Sequence, residues 1–283
     1  VHRKRLTAVQ IAMDSINDGA AVSITTMGRH LASGVRIKHR IKRMDRLVGN
    51  SRLYAQRKLF YRAMSQWLLK AIPQPVILID WSDFSKDRKQ QLLRAAIPVG
   101  GRSITLYEEL HPIERLSNRE VQHRFLIRLR ANLPERCTPI IIANSGFRVH
   151  FYRHVESLGW HWLGRIRGRD FIAWQTDHAG WFPAKTLYQQ ANGHPTRLGE
   201  ALWVRSGPLA ACLYLVRQPK RGRHAISSAG IRQHSKHSKK NAKRENEPWL
   251  LVASPTLKNF CARRVVNLYK TRMQIEENFR DTK

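Results

Sequence analysis

The chain has 283 residues, 42% of them hydrophobic, enough for one large domain or two smaller ones around a real core. Lys and Arg number 51 against 20 acidic residues, a formal charge of +31. So large a self-repelling excess normally has a polyanion as its partner, most commonly nucleic acid. No apolar run reaches the roughly 18–20 residues of a membrane span, because the best stretch, 201–216, is broken by Arg205 and by Gly207-Pro208. Residues 1–20 lack the apolar centre of a secretory signal. Cys137, Cys212 and Cys261 are odd in number and form no Cys-x-x-Cys pair, which argues against a disulfide framework or structural zinc and for a reducing cytoplasm.

In chain order, residues 6–18 predict a helix ended by Asp18-Gly19, and Ser23 caps a second that runs to about residue 32. A third, over 36–48, has Ile37, Ile41, Met44 and Val48 at 4, 3 and 4 spacing. Arg36, Lys38, Arg40, Lys42, Arg43 and Arg46 dress the rest of it. Three short helices with a basic last one suit a helix-turn-helix-like module lying on DNA. A solvated helix face over a core stripe accounts for the same pattern. A fourth helix over about 52–71 ends before Pro73, so 1–72 reads as a helical DNA-binding module.

The period then changes. Pro75-Val76-Ile77-Leu78-Ile79-Asp80 is an apolar run of the kind found in central strands. Residues 92–99 and 103–110 read as a hairpin turned at Gly100-Gly101, and Ser117 or Asn118 caps a helix over 120–132. Pro139-Ile140-Ile141-Ile142-Ala143-Asn144 repeats the first strand residue class by residue class. A helix marked by Phe147, Phe151, Val155 and Leu158 follows and stops at Gly159, and 160–167 returns as a strand. This order predicts an α/β mixed sheet over 73–168. Residues 170–218 alternate like antiparallel strands, and 219–247 form a Lys-, Arg-, Ser- and His-rich loop, so 169–247 reads as a β insertion ending in a basic loop. A strand over 249–253 and one helix over about 257–282 return 248–283 to the core.

Asp80 and Asn144 hold the same place at the ends of the two repeated strands, where α/β sheets usually carry their functional groups. On the last helix, Tyr269, Arg272, Glu276 and Lys283 are spaced 3, 4 and 7, one narrow stripe at 100° per residue. That stripe borders the apolar one of Val265, Leu268, Ile275 and Phe279, and a polar set there can look into a cleft. Equally, Arg272 and Glu276 form an ordinary i,i+4 pair.

Tyr269-x2-Arg272-x3-Glu276-x6-Lys283 is similar to the signature of a group of bacterial insertion-sequence transposases, the cut-and-paste group of insertion-sequence family four. The resemblance continues through Gly28-Arg29, Lys38-His39-x-Ile41-Lys42-Arg43-x-Asp45-Arg46-Leu47, Asp80-Trp81-Ser82-Asp83, Gly146-Phe147 and Glu247-Pro248-Trp249-Leu250-Leu251, nearly the whole chain. It implies an RNase H-like catalytic domain with a DDE triad, Asp80 matching the first carboxylate and Glu276 the third, with position 144 as the second. Such a triad would hold Mg²⁺, with Mn²⁺ as a substitute, for two-metal phosphoryl transfer. Tyr269, Arg272 and Lys283 match positions that contact transposon-end phosphates. Trp249 resembles a tryptophan that stacks on a flipped base, a core strand Trp being the other reading. The implied partners are double-stranded DNA, as transposon ends and target, and a second copy of the chain in a homodimeric synaptic complex. The implied setting is a bacterial cytoplasm, on the nucleoid, with no membrane; the absence of a Walker-type loop implies no nucleotide cofactor.

The departure from that pattern is Asn144, in the catalytic and metal-ligand position of the second Asp. An amide offers a carbonyl oxygen without charge, so metal binding should weaken by several kcal/mol. Glu156 and Asp170 are no obvious substitutes. Two readings follow: a DNA transposase whose strand cleavage is impaired, or a catalytically dead transposase-derived DNA-binding protein. A general RNA-binding protein would explain the charge but neither the stripe nor the paired strand ends. The missing initiator Met and the stop at Lys283 suggest a fragment of a longer protein.

Overall fold

A computed structural model describes residues 2–85, 87–168, 170–176, 180–219, 231, 234–236 and 247–281. Almost all of the expected basic loop over 219–247, and all of Lys283, lie outside the described residues. The chain divides into two compact units, Val1–Met64 and Ser65–Lys283.

The first unit holds α1 (Arg3–Asn17), α2 (Ile24–His30), α3 (Ile37–Val48), α4 (Ser51–Ala55) and the start of α5 (Arg57–Leu69). Ser23 caps α2 by accepting the Thr26 N–H at 3.2 Å, as its sequence position predicts. Ala12, Ala20, Met27, Leu31 and Met44 form the core, with Ile11, Ile16, Ile24 and Leu47 packed on it. Gly28 is needed where α2 meets α3, since a Cβ there would lie 2.6 Å from the Ile41 Cα. The expected stripe on α3 holds at Met44, but Ile37 and Val48 at the two ends are 51% and 63% exposed. The single helix expected over 52–71 is broken at Gln56. There, i→i+3 bonds (Gln56 N–H to Leu53 O at 3.0 Å, Leu59 N–H to Gln56 O at 2.9 Å) tighten the chain, and the Arg57 guanidinium lies over the Tyr54 ring.

The second unit is built on one mixed sheet. Its strands are β1 (Val76–Asp83), β2 (Gln90–Val99), β3 (Arg102–Pro112), β4 (Ile140–Ala143), β5 (His161–Ile166), β6 (Phe171–Trp174), β7 (Phe182–Pro183), β8 (Thr196–Trp203), β9 (Leu209–Val216) and β10 (Trp249–Ala253). They are ordered β3-β2-β1-β4-β5-β10-β9-β8-β6-β7, with β1, β4 and β5 parallel and the other neighbours antiparallel. The β2–β3 hairpin turns at Gly100 and Gly101, both at positive φ as such a turn requires. Strands β6 to β9, in the region read as a β insertion, continue the core sheet through β10.

The helices that follow α5 are α6 (Arg119–Asn132), α7 (Val149–Ser157), α8 (Ala262–Lys270) and α9 (Met273–Asp281). Of the two caps considered for α6, Asn118 is the one used, accepting the Val121 N–H at 3.1 Å. Leu78, Leu92, Ala96, Ile140 and Ile142 pack with Val265, Val266, Tyr269, Ile275 and Phe279 in one buried cluster, so alternate strand residues meet α8 and α9. The long final helix read from 257–282 is instead a 3₁₀ turn (Pro255–Leu257), α8 and α9, parted at Thr271-Arg272. The Thr271 hydroxyl donates to the Leu268 carbonyl at 2.7 Å, and i→i+3 bonds replace the α-helical ladder from Leu268 to Ile275. Among the described residues no helix is long and apolar enough to cross a membrane.

Candidate functional site

The site forms where β1 and β4 end. Their all-apolar stretches are buried on both faces, and they run parallel in register, Leu78 beside Ile142 and Ile79 beside Ala143. The next residue of each strand is therefore Asp80 and Asn144, side by side. Leu78 and Ile142 face α8 and α9, so period-two alternation turns Asp80 and Asn144 to that same face.

Asp80 is only 4% exposed, and both of its oxygens are in use. Oδ1 accepts the Trp81 N–H at 2.8 Å and the Asn144 amide N–H, with the nitrogen at 2.5 Å. Oδ2 accepts from Arg272 Nη1 at 3.1 Å, while Arg272 Nη2 donates to Glu276 Oε1 at 2.6 Å. The Asn144 carbonyl oxygen accepts the Gly146 N–H at 2.7 Å. Burial pushes the Asp80 carboxyl up to about 6 against the pull of the Arg272 charge. Burial opposes the Arg272 charge too, but Tyr269, Asp80 and Glu276 outweigh it and hold the guanidinium above its usual range.

Arg272, the hub of this circuit, lies at the break between α8 and α9. Tyr269 ends up buried at the base of the site, edge-to-face with Trp249 at 5.2 Å, and burial raises its phenol. Arg165 also lies over the Trp249 ring, 5.9 Å from its centroid, and donates to the Glu247 and Pro248 carbonyls. Trp249 is half-buried and packed on the core. An open cleft of about 430 Å³ reaches Asp80 and Asn144 from the side lined by Asp83, Gln91, Ser117 and Gly146.

Asp80, Asn144, Arg272 and Glu276 are thus brought together as the strand ends and stripe suggest, with Tyr269 and Trp249 beside them. The cations of α3 belong to the other unit: Arg36, Lys38, Lys42, Arg43 and Arg46 are exposed. Arg40 is half-buried and donates to the Leu31 carbonyl at 2.6 Å, closing the end of α2. Glu156 and Asp170 are engaged elsewhere, Glu156 with Trp162 Nε1 and Asp170 with Arg148 and the Arg167 N–H.

One group has no counterpart among the residues that the sequence patterns single out. Arg94 pairs across β1–β2 with Asp80 and across β2–β3 with Glu108, whose carboxylate it meets at 2.8 Å. It also bonds Asn278 Oδ1 and stacks over Phe279, so it grips α9 just beyond Glu276. The available signal was a charge inside the apolar run Leu92-Leu93-Arg94-Ala95-Ala96.

A strand-end Asp, a polar residue on the parallel neighbour and a Glu on the helix crossing that face thus meet at one end of a mixed sheet. Residues 72–283 match the transposase DDE domain, and the chain belongs to that family. Its α/β architecture is that of an RNase H-like transposase domain. Among solved structures, the chain is similar to one described as a cryo-EM structure of the piggyBac transposase synaptic complex with hairpin DNA, at 10% identity and a TM-score of 0.46. That match covers 98% of this chain and 58% of the other. No curated protein matches in sequence.

Members of this family generally use divalent metal ions. The residues present here do not fit such a centre. Two carboxylates are bridged by a guanidinium, and the residue beside Asp80 is a neutral amide that presents its NH₂ to Asp80 and its oxygen to the Gly146 N–H. Hard divalent cations need converging anionic oxygens, and among the described residues no group of three His, Cys, Asp or Glu converges in that way.

Proposed function

We propose that this chain binds DNA as a transposase of the DDE fold, in the manner of the insertion-sequence family four group, and that its strand cleavage is impaired. The observation that carries the impairment is the Asn144 amide donating to Asp80 where a metal-binding carboxylate is expected. DNA binding is supported by the +31 charge and by the exposed cations of α3. The same reading takes two copies of the chain on paired transposon ends, and Mg²⁺ or Mn²⁺ as the ion of an active parent carrying Asp at 144. A catalytically dead DNA-binding protein is the limit of this reading, favoured by the fully satisfied circuit around Asp80.

The test has two parts. Anisotropy with a mixed-sequence duplex should show affinity that falls steeply with salt, log Kd rising by about 0.9 per neutralised phosphate for each unit of log salt; no binding at low salt would remove the proposal. Plasmid nicking with Mg²⁺ or Mn²⁺ should then be weak for the natural chain and stronger for Asn144→Asp. Equal, rapid nicking by both would show that Asn144 does not impair the site, and no nicking by either would leave only the binding protein.

A further inference from the structure

Resting on that reading of positions 80, 144 and 276, we infer that Asn144 and Arg272 together are a built-in counter-charge for this site. They let the second unit close without a divalent ion, and an Asp at 144 would make the same fold depend on one.

The amide can take only one orientation. Its oxygen accepts the Gly146 N–H at 2.7 Å, so its nitrogen must face Asp80. The approach is so close that a Cβ on Gly146 would lie 2.8 Å from that oxygen. Flipping the amide would set NH₂ against N–H and oxygen against carboxylate, two repulsions in place of two bonds. An Asp in this place keeps the Gly146 bond but puts a carboxylate oxygen where the nitrogen now lies, 2.5 Å from Asp80 Oδ1. Two anionic oxygens at that distance need a shared proton or a cation between them.

Arg272 cannot supply that cation as well. Its guanidinium is 13% exposed, and its nitrogens are committed to the other oxygen of Asp80 and to Glu276. In the natural chain one guanidinium faces two carboxylates and a donating amide, a set in which every group has a partner. With Asn144→Asp it would face three carboxylates. Arg272 is therefore spent inward, as the cation of the site, rather than held out toward a DNA phosphate.

The experiment is thermal unfolding of the full chain in EDTA and in millimolar Mn²⁺, for the natural protein, Asn144→Asp and Asn144→Ala. The Ala variant removes the donor without adding charge. The expected result is a natural chain whose Tm does not respond to Mn²⁺ and an Asp variant several degrees less stable in EDTA that Mn²⁺ restores. The Ala variant should lose stability and show no Mn²⁺ response. An Asp variant as stable as the natural chain in EDTA, or one that unfolds and is not restored by Mn²⁺, overturns the inference, as does a natural chain that Mn²⁺ stabilises. The nicking assay separates this from the proposed function. Mn²⁺ rescue of Asn144→Asp without any nicking keeps the inference and breaks the cleavage reading. Nicking by an Asp variant whose Tm is the same in EDTA and Mn²⁺ does the reverse.

Discussion

Arg43 on α3 and Arg272 between α8 and α9 are the same side chain in two different solvents. Arg43 stands in water on the helical unit, where its charge is screened, adds little to stability and is free to meet a phosphate. Arg272, its side chain only 13% exposed, lies between Asp80 and Glu276, where its charge is committed and its removal would strand two carboxylates. A strongly basic composition therefore hides two kinds of cation. Those outside stand in water, and among those inside, Arg94 and Arg272 organise the protein's own acids.

The severest test of that contrast is Arg272→Met. It should cost about 3–5 kcal/mol in urea unfolding, the usual consequence of leaving buried charges without their partner. A loss below about 1 kcal/mol, the range of an exposed ion pair, would mean that the site is wet and the two cations alike. Next comes Gly28→Val in the helical unit. Its side chain would meet the Ile41 backbone, and overpacking of this kind costs about 1–3 kcal/mol. Hydrogen exchange should speed up in α1–α3 and stay slow in the sheet; uniform acceleration would show that the units do not unfold independently.

A smaller effect is expected with pH. The His123 and His154 rings stack at 4.1 Å, with His150 beside them, and burial, with help from nearby cations, lowers the pKa of His150 and His154. At these histidines the unfolded chain then takes up protons first as pH falls below about 6.5, so their contribution to stability should drop through that window and be fully present above it. The raised Asp80 carboxyl contributes in the opposite direction, favouring the folded state as pH falls. A His154→Gln variant should flatten the Tm-against-pH curve there, and an unchanged slope would assign the effect to other groups. Smallest for stability is the triple change Lys42→Ala, Arg43→Ala, Arg46→Ala. Each substitution should stay within about 0.5 kcal/mol, yet the salt slope of DNA binding should fall by about 0.9 for each phosphate that is no longer neutralised. A slope that does not move would take the DNA surface away from α3.

Much of the site was legible in the chain because its signals are local. Two apolar runs of the same length, each ending in a short polar residue, predict neighbouring buried strands, and the register of β1 with β4 places Asp80 next to Asn144. The Tyr269, Arg272 and Glu276 spacing also places these three residues near Asp80, though on a helix that does not exist as one piece. The break at Thr271-Arg272 depends on a hydroxyl choosing the Leu268 carbonyl, a local competition that periodicity does not register. Arg94 is one cation among 51 basic residues in the sequence, and only its partners set it apart.

Strand period, apolar runs and residue identity are properties of neighbours along the chain, and they were enough for the class of fold and for the two strand ends at Asp80 and Asn144. Which way the Asn144 amide points, which arginines are buried and which acid each one meets followed from tertiary packing alone. The bonds that settle them join residues 64, 184 and 192 positions apart, Asn144 to Asp80, Arg94 to Asn278 and Arg272 to Asp80. Their strength comes from the exclusion of water, which no stretch of neighbouring residues can achieve before the sheet and the last two helices have closed on each other.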